Sequence, residues 1–170
     1  PLEECQDPAA LNQPEHFEET GRDPERTPMQ WDSSPNAGFT AEGVTPWLPL
    51  AADFDTRNVA AQTDDPASML TLFRRLANLR KANASLQTGR YDGIEVTESK
   101  DVLAYRRSSD GGQSFVILLN LGAMDIAMDL RSTLGESTVT LALSTDPARG
   151  EGSIDPQRVV LRGNEGIILT

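Results

Sequence analysis

The chain has 170 residues, of which 38% are hydrophobic, and it carries a formal net charge of −11 at pH 7. This length suits one ordinary domain or two small units, and the negative charge disfavours binding to phosphate backbones or anionic lipid surfaces. We therefore expect no nucleic-acid partner. No apolar run approaches the roughly 18 residues that cross a bilayer, so we expect no membrane span either.

The single cysteine, Cys5, excludes an internal disulfide and a zinc cluster built from cysteines. The first residues, "PLEECQDPAALNQPE", lack the basic region and the apolar core of a signal peptide and resemble an internal segment of a protein. From these features we predict a cytoplasmic location, and we expect no metal and no cofactor.

Residues 1 to about 63 are rich in Pro, Asp, Glu, Asn and Gly and show no sustained period of 3.6 or 2. This pattern is typical of long surface connections. A loop system of this length usually rests on a scaffold elsewhere and carries function.

One helix is predicted over about 65–84. Asp65 offers an N-cap and Pro66 a first helical residue, while Arg80 near the other end complements the exposed carbonyls. The apolar side chains that follow helical spacing are Met69, Leu72, Phe73, Leu76 and Leu79.

From Arg90 onward, short β-rich runs alternate with turn residues, which predicts an antiparallel sandwich. "SSDGG" at 108–112 is typical of a hairpin turn, and Gly163-Asn164 suits a tight two-residue turn between the last two strands. We therefore divide the chain into residues 1–88 and a C-terminal β-sandwich domain at 89–170. The predicted strands cover 101–107, 114–121, 124–130, 137–144, 158–162 and 165–170.

The residues themselves do not form a recognisable catalytic set. His16, the only histidine, lies among glutamates without a serine or cysteine partner, so we interpret it as a solvated loop residue. "DFDTRN" at 53–58 lacks the further ligands and the glycine of a calcium loop. Acids that could act in pairs across a sugar are interpreted as solvated, because nothing in the loop raises their pKa: Glu18, Glu19, Asp23, Glu25 and Asp32.

Five stretches carry a family resemblance: "PLEECQDPAALNQPE", "GRDPERTPMQWD", "NAGFT", "PWLPL" and "QTDDPASMLTLFRRLANLRKANASLQTGRY". With them the sequence resembles the α-glucosidase and oligo-1,6-glucosidase branch of the α-amylase superfamily, glycoside hydrolase family 13. The resemblance implies the end of a (β/α)8 barrel, made of the loop after the last strand and the final helix, followed by an all-β antiparallel sandwich domain.

The resemblance also implies what the chain does. The family's catalytic carboxylates belong to barrel segments that would precede residue 1, so we expect no catalytic residue in this chain and no activity of the chain alone. The expected partners are the missing N-terminal barrel portion and an oligosaccharide or disaccharide substrate. The parent protein is expected to be a retaining α-glucosidase that removes terminal α-linked glucose.

One functional residue carries over from the family motif. In the family, the first arginine of Arg-x-x-x-Arg-Thr-Pro pairs with an aspartate from an early barrel loop and contacts the nonreducing-end sugar, and the corresponding position here is Arg22. Arg26 is a second candidate for substrate binding, although we favour Arg22 and interpret Arg26 first as a loop brace. The alternative for both is a guanidinium that ties down carbonyls and acids such as Asp23 and Asp32.

The large aromatic residues of the loop, Trp31, Phe39 and Trp47, could stack on a sugar, but we expect them to anchor the loop against its scaffold. Asn36 and Gly38 suit a turn after Pro35.

Two other functions stay open. The chain could be a noncatalytic interaction or sugar-binding module derived from the family, or part of a transglycosylase such as a sucrose isomerase or a trehalose synthase.

Overall fold

The computed structural model describes residues 2–135 and 138–170. The chain divides into two compact units: the first ends at Thr71 and the second is Leu72–Thr170. The predicted boundary between residues 88 and 89 stays a prediction.

The first unit is built from short helical turns joined by polar loops. Proline opens four of them at the first or second position, because its fixed φ suits a helix start and its missing N–H is not needed there. The prediction of a region without long periodic elements is confirmed as far as residue 63. The α-helices are α1 (Pro8–Asn12), α2 (Phe17–Thr20) and α3 (Val59–Thr63), and the 3-10 turns are Leu2–Glu4, Pro14–His16, Asp23–Arg26 and Pro35–Gly38.

The predicted helix is confirmed, but its start is different. Helix α4 spans Met69–Ala82, and the hydroxyl of Ser68 caps it by accepting a hydrogen bond from the Thr71 amide at 3.2 Å. The prediction that Asp65 is the N-cap is wrong, because its carboxylate accepts from the Ala67 amide at 2.8 Å and closes a separate turn. A short helix, α5 (Ala84–Thr88), follows.

The second unit contains two antiparallel sheets, which confirms the predicted antiparallel pairing of strands. The strands are β1 (Arg90–Ile94), β2 (Val102–Ser108), β3 (Phe115–Asn120), β4 (Ile126–Met128), β5 (Val139–Ser144), β6 (Gly152–Ile154), β7 (Val159–Leu161) and β8 (Gly166–Leu169), with helix α6 (Arg131–Leu134) between β4 and β5. The larger sheet has the strand order β1-β2-β3-β8-β5-β6, and the smaller one pairs β4 with β7.

The core of this unit lies on one face of the larger sheet. Ala104, Leu118 and Ile167 are aligned across β2, β3 and β8 and are at most 4% exposed. They belong to one buried cluster with Met128 and Leu161 of the smaller sheet, so the two sheets share a single apolar core.

The opposite face of the larger sheet is also apolar. Tyr105, Ile117 and Ile168 are aligned on it, and together with Phe73 and Leu76 of α4 they line a cavity of about 1000 Å³. Alternation along each strand produces these two faces, since successive side chains point to opposite sides.

Turn chemistry predicted one connection of the sheets and misled on another. The "SSDGG" segment joins β2 to β3 in an antiparallel hairpin, as predicted. Gly163-Asn164 does form a turn, closed by a hydrogen bond from the Glu165 amide to the Arg162 carbonyl at 3.2 Å. The strands on either side of it do not pair, because β7 joins β4 and β8 lies between β3 and β5.

The sequence pattern missed two strands, β1 and β6, at the two edges of the larger sheet. Each contains a glycine, which weakens a strand signal. The predicted strand at 137–144 begins at Val139, and its first residue, Ser137, lies outside the described residues. Within the described ranges, the helices are too short and too polar for a membrane crossing.

Candidate functional site

The candidate site is organised around the carboxylate of Asp7, at the start of helix α1. Asp7 Oδ1 accepts a hydrogen bond from the Ala9 amide at 3.0 Å, and Pro8 occupies the first helical position. This is the usual arrangement of an N-cap aspartate followed by proline. The cap fixes the orientation of a carboxylate that is fully shielded from solvent, with a side-chain exposure of 0%.

Arg22 binds this carboxylate with one edge of its guanidinium. Its Nε lies 2.8 Å from Asp7 Oδ2 and its Nη2 lies 3.0 Å from Asp7 Oδ1. The backbone amide of Arg22 donates to the same Oδ2 at 3.0 Å. One carboxylate therefore holds both the main chain and the side chain of Arg22, in the bidentate geometry that gives the strongest arginine–carboxylate pairs.

Arg26 approaches the same carboxylate more loosely. Its Nη1 lies 3.7 Å from Asp7 Oδ2, too far for a hydrogen bond but within the range of an ion pair. The 3-10 turn Asp23–Arg26 reverses the chain after Arg22, so that the Arg26 side chain also reaches this carboxylate. Both residues predicted to bind substrate thus converge on one buried acid.

Asp23 makes the reciprocal contact between residues 22–23 and residues 6–7. Its Oδ2 accepts hydrogen bonds from the Gln6 amide at 2.6 Å and the Asp7 amide at 3.0 Å. Each of the segments 6–7 and 22–23 therefore donates amides to a carboxylate of the other. The second oxygen of Asp23, Oδ1, is buried and has no hydrogen-bond partner among the described residues.

These contacts set the charge state of the site. The side-chain hydrogen bonds from Arg22, and after them the Ala9 amide, hold the pKa of Asp7 well below its usual range. The Gln6 amide is the main cause of the lowered pKa of Asp23. Desolvation raises the pKa of the neighbouring Cys5 thiol. The carboxylates of Asp7 and Asp23 are therefore ionised at neutral pH.

The other edge of the Arg22 guanidinium faces solvent. A guanidinium carries five N–H donors, and Asp7 takes only the Nε–H and one Nη2–H. The remaining donors have no partner in the part of the chain that the structure describes, and the side chain is 54% exposed. An exposed, rigidly held row of charged donors can bind hydroxyl or carboxylate oxygens.

A second loop, residues 31–44, is shaped by a left-handed turn. Asn36, Ala37 and Gly38 have φ values of 55°, 54° and 66°. The carbonyl of Ala37 accepts from the amides of Trp31 and Asp32 at 2.9 and 3.3 Å. The Asn36 side chain donates to the Val44 carbonyl at 2.7 Å. The predicted turn role of Asn36 and Gly38 is confirmed.

The three large aromatic residues of the loops remain partly open to solvent. Trp31 is 50% exposed, Phe39 44% and Trp47 56%. The described residues therefore cover only about half of each of these side chains, and the expected anchoring is partial. Trp47 lines a separate cavity of about 280 Å³ with Gln6 and Asn36.

The remaining candidates of the sequence analysis are surface groups. His16 is exposed and lies 3.6 Å from the carboxylate of Glu19, as expected for a solvated residue. Asp53 pairs with Arg57 at 3.1 Å and accepts from Gln30 at 3.2 Å. Within the described ranges, the acids, cysteine and histidine do not gather in a group of three that could hold a metal ion.

Sequence reasoning missed the central residue of the site. We expected braces such as Asp23 or Asp32 for the two arginines, but the carboxylate that both of them meet is Asp7. The Asp32 carboxylate instead accepts a hydrogen bond from the Ser34 amide at 2.8 Å. The Asp-Pro pair at 7–8 is only a weak signal for Asp7, because the chain contains other Asp-Pro pairs and Asp65-Pro66 does not begin a helix.

The fold and the site define a class of structure. It has a polar loop unit, in which a buried carboxylate meets two arginines, followed by an antiparallel β-region. The chain belongs to the alpha-amylase family: the family model described as alpha amylase, catalytic domain, matches residues 2–89, more than half of the chain. The resemblance stated from the sequence motifs is confirmed.

Curated relatives share this sequence over most of its length. Maltase A1 of Drosophila melanogaster is 40% identical over 129 residues, which are 75% of this chain and 22% of that protein. The salivary alpha-glucosidase of Aedes aegypti is 35% identical over 99% of this chain and 29% of its own length. The amino acid transporter heavy chain SLC3A1 of Rattus norvegicus is 34% identical over 85% of this chain and 21% of its own length.

A solved structure is similar in three dimensions as well. The trehalulose synthase MutB from Pseudomonas mesoacidophila MX-45 matches 94% of this chain with a TM-score of 0.73 and 29% identity, and the match covers 28% of that protein. The chain thus spans between one fifth and three tenths of the length of these relatives.

Proposed function

We propose that this chain is the C-terminal part of a retaining α-glucosidase that removes terminal α-linked glucose from oligosaccharides or disaccharides. The names of Maltase A1 and of the salivary alpha-glucosidase support this activity, and their greater length supports a parent protein that supplies the rest of a (β/α)8 barrel. The catalytic carboxylates belong to that remainder, and the chain contributes a loop that positions the sugar.

The observation that carries the proposal is the half-bound guanidinium of Arg22. Its inner edge is fixed on Asp7 and the side chain as a whole is 54% exposed, so its free donors point away from a rigid base. Hydroxyl groups of a terminal sugar are suitable acceptors for them. Arg26, whose contact with Asp7 is longer, is the secondary candidate for the same sugar.

Retaining glycoside hydrolysis needs a nucleophile and an acid/base, both carboxylates, on opposite sides of the scissile bond. Arg22 does not take part in bond making. By holding the terminal glucose it would place the anomeric carbon between those two carboxylates, and by closing the pocket beyond that sugar it would restrict cleavage to chain ends.

The test is turnover of p-nitrophenyl α-glucoside by three preparations: the intact protein, its Arg22→Gln variant and the 170-residue chain alone. We expect turnover by the intact protein, a loss of about a hundredfold in kcat/KM for Arg22→Gln and no turnover by the chain. An intact protein without turnover, or an active isolated chain, would contradict the proposal.

The proposed missing barrel has a physical correlate in the second unit. Phe73 on helix α4 is 67% exposed, and an apolar cavity of about 1000 Å³ lies between this helix and the sheet. Apolar surface of this extent is usually covered in a folded protein. We expect the chain alone to aggregate, and a monodisperse monomer of 18.5 kDa in solution would contradict this.

A second candidate is a noncatalytic subunit. It is favoured by the 34% identity to a protein named amino acid transporter heavy chain, over 85% of this chain. The same turnover measurement separates the two candidates, because a noncatalytic subunit would show none even as the intact protein.

A transglycosylase is the third candidate, supported by the likeness to trehalulose synthase. Incubation of the intact protein with sucrose distinguishes it from a hydrolase. Free glucose and fructose in equal amounts support hydrolysis, whereas an isomeric disaccharide as the main product supports the transglycosylase.

A further inference from the structure

We infer that Asp7 is the positioning residue of this site: it selects which edge of the Arg22 guanidinium meets the sugar, without touching the sugar itself. This inference rests on the proposed role of Arg22. It adds a residue that the family motif does not contain, since Asp7 lies 15 positions before Arg22.

Asp7 cannot be a ligand contact in this structure. Its side chain has an exposure of 0%, and its two oxygens already accept from Ala9 and from Arg22. Any influence of Asp7 on a bound sugar must therefore pass through Arg22.

The geometry fixes Arg22 at two levels. The bond from the Arg22 amide to Asp7 Oδ2 places the Cα, and the bonds from Nε and Nη2 fix the rotation of the guanidinium plane. A long side chain that is held at both ends loses little further freedom when it binds a ligand, which favours binding.

The position of Asp7 is itself determined by its neighbours. The Ala9 amide fixes its carboxylate, and the hydrogen bond from its own amide to Asp23 Oδ2 fixes its main chain. Because Asp23 follows Arg22 directly, the two segments can move only together. The relation between carboxylate and guanidinium is therefore a property of the loop and not of flexible side chains.

The second unit contains a matched control. Asp129 binds Arg131 through Nε at 3.0 Å, Nη2 at 2.6 Å and the backbone amide at 3.0 Å. The atoms are the same as in the Asp7–Arg22 pair, but the residues are two apart and both side chains are nearly half exposed. Asp129→Asn makes the same chemical change away from the proposed site.

The experiment is a double-mutant cycle in the intact protein, with p-nitrophenyl α-glucoside as the probe, of Asp7→Asn, Arg22→Gln and their combination. We expect Asp7→Asn to lower kcat/KM by about tenfold or more, and the double variant to be no worse than Arg22→Gln alone. Asp129→Asn should leave kcat/KM within about twofold of the parent.

The outcomes separate the two claims. If Asp7→Asn keeps full kcat/KM while Arg22→Gln loses it, or if the two losses multiply in the double variant, the role of Asp7 is overturned and the proposed function stands. If Arg22→Gln keeps full activity, or the intact protein has none, the proposed function fails, and the role of Asp7 fails with it.

A variant that does not fold would hide these outcomes, so Asp7→Ser serves as the second variant. Serine retains the capping acceptor for the Ala9 amide but cannot bind the guanidinium at two points. A loss of kcat/KM by Asp7→Ser with an unchanged circular dichroism spectrum supports positioning, and full activity of this variant overturns it.

Discussion

The two units of the chain contain the same chemical pair in opposite settings. In the second unit, Glu165 binds Arg149 at 2.7 Å, and the two side chains are 1% and 17% exposed. In the first unit, the Asp7 carboxylate is equally buried, but its partner Arg22 is 54% exposed.

The difference lies in how many N–H donors of each arginine remain available for a ligand. Arg149 also donates to the Val160 carbonyl, so its pair with Glu165 is enclosed in a network that includes the hydroxyl of Ser144. Arg22 keeps one edge open. A closed network contributes to the fold, whereas an open one leaves charged donors for a ligand.

The largest expected effect concerns the apolar core that supports the closed network of the second unit. Leu118→Ala removes a side chain with 0% exposure between the two sheets, so we expect a destabilisation of about 2–5 kcal/mol. Hydrogen exchange of β3 peptides in the intact protein measures it. Leu103→Ala, at a position with 45% exposure, is the control, and a cost below about 1 kcal/mol for Leu118→Ala would contradict the described core.

The closed pair itself is the next test. Glu165→Gln keeps the shape of the side chain but removes the charge that faces Arg149 and the Arg162 amide, which donates to it at 2.8 Å. We expect a loss of about 2 kcal/mol, seen as faster exchange in β8, with no change in KM for a glucoside. A change in KM would show that the second unit takes part in binding.

The left-handed turn of the loop unit gives a smaller effect. Gly38→Ala places a methyl group 2.9 Å from the Asp32 carboxylate at a φ of +66°, so we expect a cost of about 1–2 kcal/mol or more. Gly43→Ala is the matched control, with a φ of +81° and open space around it. Hydrogen exchange of residues 31–44 should therefore rise more for Gly38→Ala, and equal effects would assign the cost to φ alone.

The last test is a pH dependence of the loop unit. Since the pKa of Asp7 is lowered in the folded state, its contribution to stability is present above the unfolded pKa of about 4 and is lost as pH falls toward the folded value. Unfolding of the first unit should therefore depend less steeply on pH below about 4 in Asp7→Asn than in the parent. Parallel curves, measured by exchange of residues 6–23, would contradict this.

The sequence could predict much of this arrangement, but not the centre of the site. Helix α4 and most strands of the large sheet follow from local periodicity, and Arg22 and Arg26 follow from a motif. Asp7 does not, because its importance arises from a contact across 15 residues that no local pattern encodes. The edge strands β1 and β6 were missed for a related reason, since their pairing partners and not their own residues make them strands.

By itself, the sequence determined the family, the antiparallel character of the second unit and the two arginines, because motif, alternation and turn residues are local properties of a chain. Only the tertiary structure decided that β7 and β8 belong to different sheets, since hydrogen-bond partners are chosen in space. It also decided that both arginines share one buried carboxylate. A side chain becomes part of a site only when distant segments bring its partner within hydrogen-bond distance.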